Sequence, residues 1–531
     1  MLVSAEGGSS RKSLGQYFTP EDIAEFMLSL SKVDESSSVL EPSAGEGVFI
    51  DLLKKRKCAR IDGYEIDPDL AARNAEYVKC ESFVSADIST QYDLVIGNPP
   101  YIRWKNLEDR FKKELSENAL WNRYFNSLCD YSYIFMLKGV EVLKDGGELI
   151  FICPEYWMNT TNSQTLRDYF CEHGYFSDFY IFNESPIFKG ATVSTIVFRF
   201  VKSKEQSKPP MRVAKFSQKT KLSYDILEKL RSRTPIPDVE YMELRQFRQG
   251  QRWVFAPQEE QDALARLMAA CEVEENGDDL FPRRKMITLG DVCEIGNGMV
   301  SGLDRAFQIP DDITLTDAEQ EATILVYKAK NLVKYWALHP TRYIYVPESI
   351  VDERDFKRLY PHFHSLMQPN KAALLSRYSY GKELPYWQWC FKRSERLFKS
   401  SGKRIFIPCK ERISAKSFVR FALADEGFFP TQDVTGIFKR QGTKESIEYI
   451  LAYLNHPLIF HWIRHYGIVK GNIVEFSEKP LASIPFRKIK WEDTHEVRLH
   501  DKITSLTTSM LATRNQDLAN EINNELGELI K

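Results

Sequence analysis

The first two hundred residues alternate between short apolar runs and segments in which apolar residues recur with helical spacing. Buried strands are predicted at residues 39–40, 61–64, 84–87, 93–97 and 147–153. Helices are predicted at residues 48–57 and 131–143. Strands that alternate with helices predict a doubly wound, mostly parallel α/β sheet. Residues 175–182 and 195–201 add two strands, which we expect to form an antiparallel pair at an edge of the sheet.

The chemically unusual residues of this half fall where the predicted strands end. They are Glu41, Ser43, Ala44, Gly45 and Gly47 after the first strand, Glu65 and Ile66 after the second, Asp87 and Ile88 at the third, and Asn98, Pro99, Pro100 and Tyr101 after the fourth. Ligands of open α/β sheets bind beyond the carboxyl ends of the strands. The sequence therefore predicts one ligand site at this edge of the sheet.

The chemistry of these strand ends indicates a nucleoside ligand. Glycines let the backbone approach a ligand closely, and an acidic residue such as Glu65 at the end of a second strand suits a ribose diol. The first loop lacks both the G-x-G-x-x-G spacing and a Gly-Lys-Ser/Thr sequence, which disfavours pyrophosphate. Glu41 and Glu46 would repel phosphate as well, and they favour a cationic ligand.

Composition indicates a globular chain with several cores. Of the 531 residues, 43% are hydrophobic and 27% are charged, and the length suits about two to four domains. Lys and Arg total 72 against 74 Asp and Glu, a net charge of −2 that by itself argues against a generally basic nucleic-acid binder. The distribution is uneven, with −9 over residues 1–200, +6 over 201–250, −7 over 251–350, +10 over 351–500 and −2 over 501–531. The two basic segments are what a duplex-binding cleft needs.

Several classes of protein and site are disfavoured by the same sequence. No run approaches the roughly 18 apolar residues that span a bilayer, and the first residues lack the apolar core of a secretory signal. The nine cysteines are scattered without a CxxC pair, which is typical of reduced intracellular thiols. We expect a cytoplasmic protein without a metal site, and plain surface or core roles for the histidine pairs His362/His364 and His461/His465.

Taken in order, the strand-end residues resemble the amino-group DNA methyltransferases that modify adenine at its exocyclic nitrogen, in the motif order of that family's gamma class. The resemblance runs from Gly15 to Val201 and implies S-adenosylmethionine as the cofactor. In it, residues 15–20, including Tyr17, Thr19 and Pro20, contact the methionine end of the cofactor, and residues 39–47 form the cofactor loop. Glu65 matches the ribose-binding acid, and Asp87 with Ile88 matches the pair that recognises and packs on the cofactor adenine.

The same resemblance assigns the catalytic residues. Asn98 to Tyr101 match the catalytic motif, in which the Asn98 side-chain oxygen and the Pro99 carbonyl accept the two hydrogens of the target amine. The amine lone pair then points at the methyl group, so catalysis is mostly orientation and electrostatics and needs no metal. A target base must leave the duplex to be reached, and Tyr101 and Phe188 are the aromatic residues expected to stack on it.

The second half is less specific in sequence. Residues 289–307, 450–455 and 467–485 resemble the opening and closing parts of the target-recognition domain of these enzymes. Residues 351–500 interleave aromatic and basic residues, which could stack, wedge or contact bases, or form a solvated basic face over an aromatic core. The residues of this set are Tyr378, Tyr380, Tyr386, Trp387, Trp389, Lys392, Arg393, Arg396, Lys399, Lys403 and Arg404.

The sequence thus predicts four regions. They are a catalytic domain at residues 1–245, a connector at 246–285, an α+β target-recognition domain at 286–490 and a helical segment at 491–531. The expected function is site-specific adenine methylation of double-stranded DNA, by a monomer whose cognate restriction endonuclease, where one exists, acts separately. RNA methylation or protein-glutamine methylation on the same fold is the alternative, and the large C-terminal half argues against both. Asn98 in place of Ser disfavours a cytosine-directed enzyme, and an intact Asn98, Glu65 and Asp87 disfavour a pure DNA-binding protein.

Overall fold

The computed structural model describes residues 17–188, 194–275, 283–378, 381, 383–413, 416–470 and 472–531. The chain divides into two compact units, Met1–Gln258 and Glu259–Lys531. Within the described residues, no helix is both long enough and apolar enough to cross a membrane. Those residues also contain no group of three His, Cys, Asp or Glu side chains arranged to hold a metal ion.

The first unit is built on a nine-stranded sheet. Its strands are β1 (Ser38–Glu41), β2 (Arg60–Glu65), β3 (Val78–Cys80), β4 (Tyr92–Gly97), β5 (Leu143–Pro154), β6 (Gly174–Ile181), β7 (Thr195–Lys202), β8 (Met211–Phe216) and β9 (Val239–Leu244). Their order across the sheet is β3-β2-β1-β4-β5-β7-β6-β8-β9. Strands β1 to β5 are mutually parallel, and β7 is antiparallel to both of its neighbours. The predicted doubly wound, mostly parallel sheet is confirmed.

Helices cover both faces of this sheet. They are α1 (Glu21–Ser29), α2 (Val48–Lys55), α3 (Pro68–Ala71), α4 (Asp109–Glu117), α5 (Ala119–Tyr124), α6 (Ser132–Glu141), α7 (Gln164–His173) and α8 (Tyr224–Ser232). Short 3₁₀ turns lie at Ala72–Asn74, Trp104–Asn106, Glu155–Met158 and Thr161–Ser163. The predicted helices at 48–57 and 131–143 are therefore present, with their ends trimmed by one or two residues. In α2, apolar side chains at helical spacing, from Phe49 to Leu53, are buried against the sheet.

Two sequence predictions about this unit are wrong in detail. The third strand is β3, and residues 84–87 lie in a loop after it. Val84 is buried because it packs in the hydrophobic core, and it does not pair with a strand. The antiparallel pair β6–β7 lies inside the sheet, because β8 and β9 extend the sheet beyond β6. Residues 202–245, which the sequence assigns to the catalytic domain, contribute β8, β9 and α8 to this unit.

The second unit is an α+β assembly of four small sheets. Its strands are β10 (Glu272–Glu275), β11 (Arg283–Met286), β12 (Cys293–Asn297), β13 (Thr323–Tyr327), β14 (Tyr335–Trp336), β15 (Thr341–Ile344), β16 (Arg404–Pro408), β17 (Lys410–Arg412), β18 (Ala422–Ala424), β19 (Phe428–Pro430), β20 (Val434–Lys439), β21 (Ile468–Lys470) and β22 (Ile473–Glu475). The largest sheet has the order β12-β20-β16-β18-β14, and the others are β15-β13-β19, β17-β22-β21 and β10-β11. The expected α+β architecture is confirmed.

Thirteen helices among the described residues accompany these sheets. They are α9 (Gln258–Ala270), α10 (Leu289–Val292), α11 (Asp304–Phe307), α12 (Asp317–Glu321), α13 (Glu353–Leu359), α14 (Pro361–Met367), α15 (Lys371–Leu375), α16 (Glu395–Phe398), α17 (Ile447–Leu454), α18 (Pro457–Tyr466), α19 (Glu478–Ala482), α20 (Thr494–Thr513) and α21 (Leu518–Ile530). Two 3₁₀ turns lie at Ala329–Asn331 and Gln368–Asn370. The polar tail predicted as one helix is two, because Arg514 takes a left-handed conformation that ends α20.

The interleaved aromatic residues of this unit mostly form its core. Tyr386, Trp387 and Trp389 are buried, and the two indole N–H groups donate to the carbonyls of Ile350 and Ile344, both at 2.9 Å. Of the two alternatives that the sequence leaves open, these three rings fit the aromatic core, because packing and indole hydrogen bonds already occupy them.

The basic residues between these aromatics differ in their surroundings. Arg404 is fully buried and donates to the carbonyls of Phe398, Ser400 and Gly402. Arg396 and Lys403 are exposed and pair with Glu294 and Glu448. Tyr378 is exposed, while Tyr380 lies outside the described residues.

Candidate active site

The candidate site lies where the strand order of the first unit reverses. Strand β1 pairs with β2 on one side and with β4 on the other. The strands that follow β1 are therefore added first in one direction across the sheet and then in the opposite direction. A cavity of about 310 Å³ opens there. The sequence-predicted residues that line it are Tyr17, Thr19, Glu41, Ser43, Ala44, Gly45, Glu65, Ile66, Asn98, Pro99 and Pro100. Of the other predicted site residues, Pro20 begins α1 through its carbonyl, Gly47 begins α2, and Tyr101, Asp87, Ile88 and Phe188 lie outside this lining.

The loop after β1 is held open by its glycines. Gly45 and Gly47 have φ values of +53° and +86°, a region that favours glycine. The Gly45 N–H donates to Glu65 Oε2 at 2.8 Å, and the Ala44 N–H donates to the Tyr64 carbonyl at 2.9 Å. These bonds tie the loop to the end of β2, so the predicted loop and the predicted ribose-binding acid form one rigid wall.

Two carboxylates of this wall have different surroundings. Glu65 accepts hydrogen bonds from the backbone N–H groups of Gly45 and Asp67, at 2.8 and 2.9 Å. Glu41 is 1% exposed, and its Oε2 atom has no hydrogen-bond partner among the residues that the structure describes. Burial, and then the charge of Glu65, raise the pKa of Glu41 well above its usual range. A buried carboxyl group that lines the cavity and has one oxygen without a partner is suited to meet a cationic ligand.

The Asn98 side chain is held from both sides. Its Nδ2 donates to the Tyr17 carbonyl at 2.6 Å, and its Oδ1 accepts a hydrogen bond from the Tyr101 hydroxyl. Its own carbonyl accepts from Ser43 Oγ at 3.0 Å, which joins the Asn98 loop to the loop after β1. Because the amide nitrogen is committed to Tyr17, the amide has one orientation, with its oxygen available as an acceptor.

The two predicted stacking aromatics occupy different environments. The Tyr101 hydroxyl donates to the Ile152 carbonyl at 2.5 Å as well as to Asn98, and desolvation raises the Tyr101 pKa well above its usual value. Phe188 is buried, with its ring centroid 5.7 Å from that of Tyr17. Tyr101, Asn98, Tyr17 and Phe188 thus form one connected group.

Asp87 and Ile88 belong to a loop, and Asp87 borders a neighbouring cavity of about 790 Å³. The two cavities share Ile66 and Ser82 in their linings, so they are adjacent. A ligand in the first cavity would reach Asp87 by passing Ile66.

The segment that holds this site, and the chain as a whole, are similar to known proteins. The family model of the Eco57I restriction-modification methylases matches residues 22–188, the segment that contains β1 to β5 and the site residues from Glu41 to Phe188. The type II methyltransferase M.HindII of Haemophilus influenzae is 42% identical over 523 residues, and the match covers 98% of both chains. This chain belongs to the type II methyltransferases of restriction–modification systems.

Further similarities extend over the whole methyltransferase. M.HincII of Haemophilus influenzae is 40% identical over 524 residues and again covers 98% of each chain. The fold of the type IIL restriction–modification enzyme MmeI, solved in complex with DNA, superposes with a TM-score of 0.57 at 10% identity. That similarity covers 96% of this methyltransferase and 72% of the MmeI chain, so the shared fold includes both units.

Sequence reasoning missed several residues of the methyltransferase site. Ser82 and Phe83 line the first cavity from the loop after β3, and Tyr131 and Phe135 line it from the start of α6. The pattern of α6 indicates only a buried helix, and the loop residues follow no recognisable strand end. Only the tertiary arrangement brings these four residues to the cavity.

Proposed function

We propose that this methyltransferase transfers the methyl group of S-adenosylmethionine to the exocyclic N6 of an adenine at a specific site in double-stranded DNA, as the modification component of a restriction–modification system. The observation that carries the proposal is the fixed Asn98 amide beside Pro99 at the switch point of the sheet. An amide oxygen has two lone pairs, so Oδ1 can accept an amino hydrogen while it also accepts from Tyr101.

The residues of the cavity fit this cofactor. The buried, unpartnered Glu41 Oε2 is an acceptor for a cationic group, and Glu65 has carboxylate lone pairs left for ribose hydroxyls. Tyr17, Thr19 and Pro20 would border the methionine portion, and Ile66, Asp87 and Ile88 the adenine. When bound, the cofactor supplies an electrophilic sulfonium methyl group.

The chain's own part in the reaction is to hold the amine. Asn98 Oδ1 and the Pro99 carbonyl would each accept one hydrogen of the target N6, which localises its lone pair. The nitrogen gains the methyl group and loses one proton, so no nucleophilic side chain is required. The prolines at positions 99 and 100 restrict the loop to few conformations, which keeps both acceptors in place. Tyr101 and Phe188 are the proposed stacking partners for a base that has left the duplex.

We propose that target recognition lies in residues 286–490 of the second unit. The DNA-bound MmeI enzyme shares the fold over both units, which supports DNA as the partner of this chain as well. Monomeric action and a separately acting endonuclease are part of the same proposal.

Methyl transfer from tritiated S-adenosylmethionine tests the reaction. Unmethylated duplex DNA should accept label at N6 of adenine, and labelling of RNA or of a protein glutamine instead of DNA would overturn the substrate assignment. Sequencing that detects methylated bases, in DNA from cells that express the protein, would identify the site.

The variant Asn98→Ala tests the role of the amide. Loss of an acceptor used in the transition state should lower kcat by about 100-fold or more, while calorimetric binding of the cofactor stays nearly unchanged. Asn122→Ala, on the exposed face of a helix, is the matched control and should keep activity. Loss of cofactor binding by Asn98→Ala would show that its role was misassigned.

A further inference from the structure

The loop that carries Asp87 has no strand to hold it in place. Strand β3 ends at Cys80, and the segment from Ser82 to Ala86 runs between the two cavities. One backbone hydrogen bond lies within the segment, from the Ala86 N–H to the Ser82 carbonyl at 3.0 Å, and it leaves the carbonyls of Phe83, Val84 and Ala86 unpaired by the segment itself. Those carbonyls need partners from outside the loop, because a buried carbonyl without one is destabilising.

The ammonium group of Lys138 supplies a partner to all three, and Asn118 Nδ2 also donates to the Val84 carbonyl at 3.0 Å. From near the end of α6, Nζ donates to the carbonyls of Phe83, Val84 and Ala86 at 2.6, 3.0 and 2.6 Å. All three ammonium hydrogens are thereby used on one four-residue segment. The same ammonium lies 5.0 Å from the centre of the Phe83 ring, which lines the first cavity.

We propose that Lys138 is a positioning residue that fixes the 83–86 segment, and with it Phe83 and Asp87, for the nucleoside end of the cofactor. The inference rests on the proposed function, since it takes the two adjacent cavities to hold that cofactor. Lys138 acts through three backbone carbonyls, so its contribution depends on having three donors in one place.

The charge of Lys138 is sensitive to pH near neutrality. Desolvation lowers its pKa to about 8, against the opposing effects of Glu114 on α4 and of Asp87 and Glu81 beside the loop. A neutral amine has two donors instead of three, and its lone pair would face a carbonyl oxygen. Cofactor affinity should therefore be full below pH 8 and fall as the pH rises through it.

Binding of S-adenosylhomocysteine by the full chain, measured calorimetrically, tests the proposal. Lys138→Met should raise Kd about tenfold or more, because three charge-assisted hydrogen bonds are lost. The KM for S-adenosylmethionine should rise equally, with kcat at saturation nearly unchanged. 5′-Methylthioadenosine, which contains only the nucleoside half, should lose affinity by the same factor.

Lys138→Arg separates positioning from folding. Arginine stays charged at every accessible pH, so the variant should keep tight binding, and its affinity should not fall between pH 7.5 and pH 9.5 as that of the wild type should. Lys112→Met, on α4, makes the same change at a lysine whose carboxylate partner is the exposed Asp109, and it should leave Kd unchanged.

The outcomes distinguish a failure of the Lys138 positioning role from a failure of the proposed function. A lower Tm with an unchanged Kd in Lys138→Met, or a wild-type affinity that is constant through pH 8, would overturn the positioning role. Should Lys138→Met fail to fold, the wild-type and Lys138→Arg pH profiles still decide the question. A wild-type chain that does not bind S-adenosylhomocysteine would overturn the proposed function itself.

Discussion

Gly47 is the residue at which the loop after β1 ends and α2 begins, and two constraints act on it. Its φ of +86° is unfavourable for any residue with a Cβ atom. A Cβ built on it would lie 2.2 Å from Asn74 Nδ2, far inside contact distance. The loop therefore requires glycine here for its conformation, and a Cβ atom would in addition displace the Asn74 side chain.

Gly47→Ala should destabilise the protein by more than the roughly 1–2 kcal/mol of left-handed strain alone. Gly250→Ala is the matched control, because Gly250 has a φ of +70° with no atom within 4 Å of its added Cβ. Urea unfolding should show a larger loss for Gly47→Ala, and adding Asn74→Ala should recover the difference. Equal losses for the two glycine variants would mean that the contact with Asn74 is relieved without cost.

Glu41 should make the stability of the folded protein depend on pH. Because its pKa is raised well above 4.5 in the folded protein, the folded state binds more protons than the unfolded state above that pH. The stability of the wild type should therefore fall as the pH rises from about 4.5, the ordinary pKa of a glutamate, toward the raised value.

Glu41→Gln removes this loss, so its advantage over the wild type should grow from pH 5 to pH 8 in thermal unfolding. Glu46→Gln, at an exposed carboxylate of the same loop, should show no such trend. Parallel stability curves for wild type and Glu41→Gln would show that Glu41 is ionised in the folded protein.

At the scale of elements, a buried row of charges crosses four neighbouring strands. Arg199 on β7 pairs with Glu148 on β5 and, at 3.5 Å, with Asp178 on β6, which also pairs with Arg212 on β8 at 2.6 Å. The side chains of Arg199, Glu148 and Asp178 are all less than a tenth exposed. A register shift by one residue in any of these strands would place a charge on the wrong face of the sheet.

Arg199→Met should destabilise the first unit by about 3–5 kcal/mol, because it leaves the buried Glu148 without its cation and Asp178 with Arg212 alone. Arg212→Met removes a half-exposed partner of the same row and should cost much less. Chemical denaturation of both variants measures the difference. A loss below 1 kcal/mol for Arg199→Met would indicate that the carboxylates take up protons instead.

At the scale of the whole molecule, the charge asymmetry seen along the sequence does not follow the structural division. The unit Met1–Gln258 holds 34 basic and 36 acidic residues, and the unit Glu259–Lys531 holds 38 of each. The basic segment 201–250 belongs to the sheet of the first unit and offsets the acidic residues before it. Attraction to DNA must therefore come from the local arrangement of basic residues on each unit, since neither unit has a large net charge.

DNA affinity should nevertheless fall steeply with salt, because contacts with phosphates release counterions whatever the net charge of the protein. We expect log Kd to rise linearly with log salt between 50 and 200 mM, with a slope of several units, as for other proteins with several phosphate contacts. S-Adenosylhomocysteine binding over the same range is the control and should change little. A salt-independent DNA affinity would contradict a binding surface of basic residues.

Much of the catalytic fold follows from local pattern. Alternating apolar runs and helical periodicity suffice for the parallel sheet, and the strand-end positions of Glu41, Glu65 and Asn98 suffice to place them together. The position of Asp87 could not be predicted in the same way, because the loop before it is held by the distant Lys138. The roles of Tyr386, Trp387 and Trp389 could not be predicted either, since an aromatic residue among lysines and arginines has the same local sequence whether it is exposed or buried.

The sequence by itself determined which residues are candidates for the site and the order in which they follow the strands, because the ends of parallel strands lie at the same edge of the sheet. Only the tertiary structure decided the contacts between distant residues. These are the bond from the Asn98 amide to the Tyr17 carbonyl, the burial of Glu41, and the bonds from Lys138 to three backbone carbonyls. Such contacts join residues distant in the chain, so they depend on how helices and loops pack rather than on local sequence.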